Sequence, residues 1–251
     1  MKAMILAAGL GTRLRPLTND RPKALVEIAG RTLLEITITR LRDFGVREVI
    51  INVHHFAGMV LDYLKKNHNF GMLRIEISHE DILLDTGGGL KKAAWFFLED
   101  AAEQNTPFIL HNVDVISTID LRRMMEFHAA NQALATLAVQ DRQTSRYLLF
   151  DDQLQLCGRR PAKNDNDDDE LVRSSTQMQA LAFSGIHVIS PRLLPMISEE
   201  GAFSIITSYL RLAGEDRKIM GFRADEYYWR DLGKVESVML AGQEVKLWMM
   251  K

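Results

Sequence analysis

Short aliphatic and β-branched runs recur along the chain: AMILAA (3–8), EVIINV (48–53), LRIEIS (73–78), PFILHN (107–112), LATLAV (134–139), YLLFD (147–151) and GIHVIS (185–190). Each has the length of a strand, and several are apolar throughout, which predicts strands buried on both faces. Between several of them the apolar positions change to a helical period. Leu33, Leu34, Ile38 and Leu41 form one stripe, which Gly45 ends, and Met59, Val60, Tyr63 and Leu64 form another. Strands alternating with helices predict an α/β fold whose mostly parallel sheet is covered on both sides. In such sheets ligands lie beyond the carboxyl ends of the strands, so each strand-to-loop junction is a place for chemistry.

Two stretches break the pattern. YLLFDDQLQLCGRR reads as a hairpin arm turning near Asp151–Gln153, and AKNDNDDDELVRSS reads as a charged, solvated loop. Counted from Asp165, an EF-hand would need glycine and glutamate where Glu170 and Thr176 stand, so calcium is disfavoured. Composition narrows the class. The 251 residues are 47% apolar and 25% charged, as in an ordinary globular protein. A net charge of −2 provides no basic field for nucleic acid or an anionic membrane. A lone cysteine, Cys157, excludes a disulfide framework. No apolar run approaches a membrane span, and Arg13 and Arg15 follow the first apolar run too closely for a signal peptide. These features predict a reduced, cytoplasmic protein.

The stretch LAAGLGTRLRPLTNDRPK follows the first strand. Gly9 and Gly11 allow a tight turn that brings backbone N–H groups against an anion. Leu14 occupies the place of the third glycine of a dinucleotide fingerprint, and no Gly-Lys-Ser/Thr follows as in a P-loop. Arg13, Arg15 and Lys23 on this loop suit a polyphosphate, with a merely hydrated surface loop as the competing reading.

This stretch resembles the signature of sugar-1-phosphate nucleotidyltransferases, G-x-G-T-R-φ-x-P-φ-T followed by P-K, where φ is apolar. The resemblance implies that a nucleoside triphosphate is coupled to a sugar 1-phosphate with release of pyrophosphate. Leu6, Ala8, Gly9, Gly11 and Thr12 would line the nucleotide, Arg13 would hold the departing pyrophosphate, and Lys23 would bridge the reacting phosphates. It also implies one Rossmann-like α/β/α domain over 1–251, with a mixed, mostly parallel sheet and a sugar-binding β insertion at about 140–185.

Downstream pieces fit the same family. Asp114 stands just past PFILHN, where a turn residue is the alternative reading, and Asp231 lies in YYWRDLGK, where a helix cap is the alternative. Both resemble the family's metal-binding aspartates, so Mg²⁺ is the expected cofactor. LLDTGGGLKKAAW places Thr86, Gly87 and Gly88 in a loop similar to the family's base-recognition loop, with Asp85 or Thr86 also suited to cap the following helix. AFSGIHVIS resembles the sugar side, with Gly185 approaching the sugar phosphate, and Asn112 is a further candidate contact beside His111. Two departures leave the sugar open: Phe183 replaces an asparagine common in relatives, and GRRP (158–161) lacks the glutamate of a Glu-Lys-Pro element.

His54 and His55 are adjacent on a strand end and point to opposite faces, which suits chelation poorly, and His187 reads as a core residue. UTP and GTP are the favoured nucleotides. A non-catalytic nucleotide- or sugar-phosphate-sensing module on the same fold is the alternative, and the oligomeric state, homo-oligomer included, is left open.

Overall fold

In the computed structural model, which describes residues 1–71, 73–99, 106–161 and 168–248, the apolar strands divide their side chains between two cores. In β1 (Lys2–Leu6), Ala3 and Ile5 enter one core while Met4 enters the other. The alternation repeats in β4 (Glu48–Val53), where Ile51 and Ile50 face opposite sides. A strand covered on both faces has no polar face to show, which explains the unbroken apolar runs.

Between and beyond them the chain forms β2 (Glu27–Ile28), β3 (Arg31–Thr32), α1 (Leu33–Phe44), α2 (Ala57–Lys66), β5 (Arg74–His79), α3 (Asp85–Lys92) and α4 (Ala94–Leu98). There follow β6 (Phe108–Asn112), β7 (Val115–Ser117), α5 (Leu121–Asn131), β8 (Ala135–Gln140), β9 (Tyr147–Phe150), β10 (Leu156–Arg160) and β11 (Glu170–Leu171). The rest is β12 (Gln179–Ile189), α6 (Ile205–Gly214), β13 (Ile219–Arg223), β14 (Trp229–Asp231) and α7 (Val235–Trp248).

The main sheet has the order β11-β10-β9-β12-β6-β1-β4-β5, with β8 joining β12 to β13. Strands β6, β1, β4 and β5 are parallel neighbours, as are β8 and β13. Strand β12 runs antiparallel to β6, β8 and β9, and β9–β10–β11 is an antiparallel meander. The sheet is therefore mixed, and its antiparallel share exceeds what strand–helix alternation alone predicts. The cause is local: β9 and β10 are joined by a tight turn at Asp151–Leu154 instead of a crossover helix, so the chain must reverse there. The expected hairpin is present, whereas Asp165, from which the calcium pattern was counted, lies outside the described residues.

Strand β12 is bulged, and it changes partner along the edge that faces away from β8. Residues 186–189 pair with β6 and residues 179–181 pair with β9, with a register shift against β8 between Phe183 and His187. Gly185 sits in that shift with φ +73. Because Ile186 pairs with His111 at the end of β6 and residues 179–181 pair with β9, the β9–β10 arm lies beyond the carboxyl end of β6.

Helix α1 shows how packing fixes an element. Thr32 caps it by accepting the Glu35 N–H at 3.1 Å, and Gly45 ends it in a left-handed conformation. The cap contributes about 1 kcal/mol. Burial of Leu33, Leu34, Ile38 and Leu41 contributes about 1.5–3 kcal/mol for each side chain, so the stripe decides where the helix lies. In α2 only part of the expected stripe is buried: Val60 and Leu64 face the core, whereas Met59 is 41% exposed.

Three histidines are locked inside. His187 Nδ1 lies 3.0 Å from the Tyr209 hydroxyl, and His128 Nδ1 lies 3.0 Å from Thr136 Oγ1. Burial pushes His111 and His187 down to about 3 and His128 down to about 4, so all three are neutral at pH 7. Below pH 6.5 the unfolded chain takes up protons that the folded chain refuses, and stability falls as pH drops towards those folded values. The slope is about 1.4 kcal/mol per pH unit for each histidine. We expect urea denaturation of His128→Gln to lose about 2 kcal/mol less than the parent between about pH 6.5 and 5. An unchanged pH dependence would mean that this histidine is protonated in the fold.

Candidate active site

The glycine loop after β1 folds back on itself. Gly11 adopts φ +65, and Thr18 Oγ1 donates to its carbonyl at 2.8 Å. A side chain at position 11 would meet Thr18 Cγ2 at 3.0 Å and Lys23 Cβ at 3.3 Å, so only glycine lets the two limbs of the loop close. A single helical turn, Thr12–Leu14, buries Leu14 and leaves Thr12 and Arg13 exposed. A second turn, Lys23–Leu25, buries Lys23 to 9% exposure.

Lys23 Nζ forms an ion pair with Asp114 Oδ2, two groups 91 positions apart. Asp114 lies between β6 and β7, and β14 pairs antiparallel with β7 so that Asp231 stands opposite Val115. The Leu232 N–H donates to the Asp114 carbonyl at 2.8 Å, which holds the two aspartate-bearing segments side by side. Asp231 Oδ1 accepts from the Gly233 N–H at 2.7 Å. It is not an α7 cap, because that helix begins at Val235. A β-carbon at Gly233 would stand 2.6 Å from Asp231 Oδ1 and 3.0 Å from Arg13 Nη2, which shows how close those two side chains come. The fold thus brings Arg13, Lys23, Asp114 and Asp231 together from three distant stretches.

A cleft of about 430 Å³ opens beside them. Leu6, Ala8 and Gly9 line it from the glycine loop, Thr86 from α3, and Lys23, Asn112 and Asp114 from the region of the ion pair. Asn112 Oδ1 is buried there without a partner. The three glycines expected ahead of a helix are inside it. Gly87, Gly88 and Gly89 are buried residues of α3, and the N-cap is Leu84, not Asp85 or Thr86. The Gly87 N–H donates to the Phe203 carbonyl at 2.9 Å, and any side chain at 87 or 88 would strike Phe203 or the Gly201 carbonyl. Their small size admits the 201–203 segment, and of Thr86, Gly87 and Gly88 it is Thr86 that lines the cleft.

Two cleft residues carry no motif that would single them out in the sequence. Asn52 Oδ1 accepts the Ala7 N–H at 2.7 Å, and its amide donates to Glu80 Oε1 at 2.7 Å. Glu80 Oε2 in turn accepts the Leu84 N–H at 3.0 Å. Asn52 is a polar residue interrupting an apolar strand, the one signal that could have marked it. His111 is fully buried, with Nδ1 2.7 Å from the Asn112 carbonyl oxygen, and does not line the cleft. His54 Nδ1 lies 2.8 Å from the Glu80 carbonyl oxygen and His55 packs on Phe56, so that pair chelates nothing between them.

A larger cleft of about 750 Å³ runs along the β9–β10 arm, between Tyr147, Phe183 and Ile206. Arg159 and Arg160 on its wall are paired with Glu170 at 2.6 Å and Asp169 at 2.8 Å. Thr86 Oγ1 accepts the Ile205 N–H at 3.0 Å, tying the wall of the smaller cleft to that of the larger.

Gly185 lies where the bulge meets Asn112. A β-carbon there would stand 2.9 Å from both Asn112 Nδ2 and Val115 Cγ2, on a left-handed backbone. Gly185→Ala is expected to cost about 2 kcal/mol or more in urea denaturation. Gly9→Ala, where nothing lies within 4 Å, should stay within about 0.5 kcal/mol of the parent. Equal effects at the two positions would contradict this packing.

Residues 2–246 match the nucleotidyl transferase family model. The chain is 34% identical over 248 residues to an N-acetylmuramate alpha-1-phosphate uridylyltransferase of Caulobacter vibrioides, covering 95% of this chain and 94% of that one. It is 30% identical over 241 residues to a mannose-1-phosphate guanyltransferase of Pichia angusta, of which it spans 61% while 93% of this chain is covered. Among solved structures, HddC of Yersinia pseudotuberculosis complexed with GMP-PN superposes with a TM-score of 0.75 at 21% identity, over 97% of this chain and 99% of that one. A UDP-glucose pyrophosphorylase of Acinetobacter superposes with a TM-score of 0.76 at 16% identity, over 99% and 98% of the two chains. These last two likenesses establish the shared Rossmann-like α/β fold, and with the family match and the nearly full-length relative the chain belongs to the sugar-1-phosphate nucleotidyltransferase family.

Proposed function

We propose that the protein transfers a uridylyl or guanylyl group to a sugar 1-phosphate, with Mg²⁺ held by Asp114 and Asp231 and with pyrophosphate released. The observation that carries this reading is the convergence of two cations and two carboxylates at the end of a cleft walled by a glycine loop. UTP with N-acetylmuramate 1-phosphate is the first pair to test, because the Caulobacter relative named for it matches over nearly its full length. GTP with mannose 1-phosphate is the second, since the chain spans less than two thirds of the guanylyl relatives.

The donor set suits the metal. Two aspartates on paired segments offer hard oxygen ligands, and Mg²⁺ commonly takes one or two carboxylates together with substrate phosphates. Among the described residues no cluster of three or more acidic, histidine or cysteine side chains competes with them. When bound, the ion would neutralise phosphate charge during displacement at the α-phosphorus.

The remaining chemistry belongs to the chain. A sugar 1-phosphate has a second pKa near ~6 and is mostly a dianion at pH 7, so it attacks without a general base. The buried histidines, neutral and packed in the core, have no part in it. The obstacle is repulsion between two anions, which positioning and fixed positive charge must overcome. Lys23 is held at the end of the cleft by Asp114, poised beside the site of transfer. Arg13 is exposed beside Gly233, where it can follow the departing pyrophosphate without disturbing the core. Asn52 and Glu80 hold the Ala7 and Leu84 backbones, and so keep the two cleft walls at a fixed separation.

Mixing a nucleoside triphosphate, Mg²⁺ and a sugar 1-phosphate should release pyrophosphate stoichiometrically with nucleotide-sugar. Lys23→Ala, Asp114→Ala and Asp231→Asn should each lower kcat about a hundredfold or more, in proteins that retain the parent circular dichroism. Near-normal turnover in folded Lys23→Ala or Asp114→Ala would refute the catalytic roles of those two side chains. Nucleotide binding without turnover of any sugar 1-phosphate would favour a sensing module instead.

A further inference from the structure

Arg142 belongs to none of the motifs quoted for the family, although it falls in the expected insertion at about 140–185, and its side chain is held by two contacts near Asp231. Its guanidinium carbon lies 3.6 Å from the centroid of the Trp229 ring, a close cation–π stack. Its Nη2 donates to the Phe183 carbonyl at 2.7 Å, and the Trp229 Nε1–H donates to the next carbonyl, that of Ser184, at 2.7 Å. Arginine and tryptophan thus clamp the bulged backbone immediately before Gly185. The loop carrying Arg142 is itself pinned, since the Asp141 N–H donates to Asp225 Oδ1 at 2.6 Å.

Against this rigidity stands an unfilled donor: Arg142 Nε is buried and has no hydrogen-bond partner. Arginine has five N–H donors in a fixed plane, and a buried guanidinium normally meets a carboxylate or phosphate. No salt bridge to Arg142 exists among the described residues. Burial lowers its pKa below the usual arginine value, and the nearby Asp231 charge acts in the opposite direction. Trp229 and Asp231 are two apart on β14 and share one face of the strand, so the arginine that covers Trp229 stands next to the carboxylate. Arg142 itself lines neither cleft, but Phe183, whose carbonyl it holds, and Thr144, two positions on, line the arm cleft. A partly buried cation fixed beside Asp231 and next to residues of the larger cleft, with a donor left over, suits a ligand whose anionic group enters from that cleft.

We propose that Arg142 binds the phosphoryl group of the sugar 1-phosphate, serving as the second substrate's anion anchor between the arm cleft and Asp231. This rests on the proposed nucleotidyltransferase activity and adds to it a residue that Lys23 and Arg13 leave a place for. Those two lie on the nucleotide side, at and beside the glycine-loop cleft, whereas Arg142 lies on the side of the bulge and the arm. A fixed plane stacked on an indole also sets the angle at which a phosphate is received, which a lysine could not do.

The test compares the parent with Arg142→Lys and Arg142→Gln, using whichever of N-acetylmuramate 1-phosphate, mannose 1-phosphate or glucose 1-phosphate the parent turns over. The expected result is a KM for the sugar 1-phosphate raised tenfold or more in Arg142→Gln and less in Arg142→Lys. The KM for the nucleoside triphosphate should stay within twofold, and melting temperatures should stay close to the parent's. An unchanged sugar 1-phosphate KM, or an equal rise in both KM values, would overturn the proposal, because a purely structural clamp moves both together. If the parent turns over none of the three, the function reading fails separately, and calorimetric titration with inorganic phosphate decides the matter for Arg142. Phosphate bound by the parent and lost in Arg142→Gln would keep the anion site, and equal or absent binding in both would remove it.

Discussion

The ion pair between Lys23 and Asp114 is the contact on which the site's geometry depends. It draws the loop after β1 across the end of the sheet to the turn after β6, joining segments that are neighbours in the sheet but 91 positions apart in the chain. Its side chains are 11% and 16% exposed, so neither charge has enough water to stand alone. Removing one partner of a well-buried pair typically costs about 3–5 kcal/mol because the other is left uncompensated, and partial exposure reduces that figure for this pair. The pair is therefore as much a positioning device as a stabilising one. It keeps an ammonium and a carboxylate at the same end of the cleft where Asp231 arrives on β14.

Much of this arrangement is legible in the chain itself. Strands buried on both faces announce themselves as unbroken apolar runs, and the α1 stripe ends at a glycine that the structure indeed places in a left-handed cap. The glycine loop and the two aspartates are legible through their resemblance to a known signature and through their positions after strands. What is not legible depends on long-range partners. The glycines at 87–89 read as a loop because glycine weakens a helix by about 1 kcal/mol, yet they are helical. Their smallness is explained only by Phe203 and Gly201, more than a hundred residues away. Asn52 and Glu80 are individually ordinary polar residues, and their role appears only when β4 and β5 align side by side. The same holds for Arg142, whose meaning depends on Trp229 and on a bulge no periodicity reveals.

The mixed sheet has a functional logic of its own. Its parallel half, β6-β1-β4-β5, delivers the ends of β1 and β6 to one edge, as open α/β sheets do. Strand β12 is antiparallel and carries the chain from the arm past that edge into the main sheet. One bulged strand thus connects the parallel half, where the glycine loop, Asp114 and the smaller cleft lie, to the antiparallel half, where the larger cleft lies. The bulge is where the two architectures meet, and the requirement for a left-handed residue at Gly185 follows from it.

The hydrogen bond from the Ile205 N–H to Thr86 Oγ1 makes the two chambers share a hinge pin. Ser204 and Ile206, on either side of that N–H, face the larger chamber, while Thr86 itself faces the smaller. A χ1 rotation of Thr86 must either carry the first turn of α6 with it or leave an amide without an acceptor. The two chambers thus have one hydroxyl in common: a Thr86 that turned towards a guest in the smaller chamber would give up the amide that begins α6 beside the larger one.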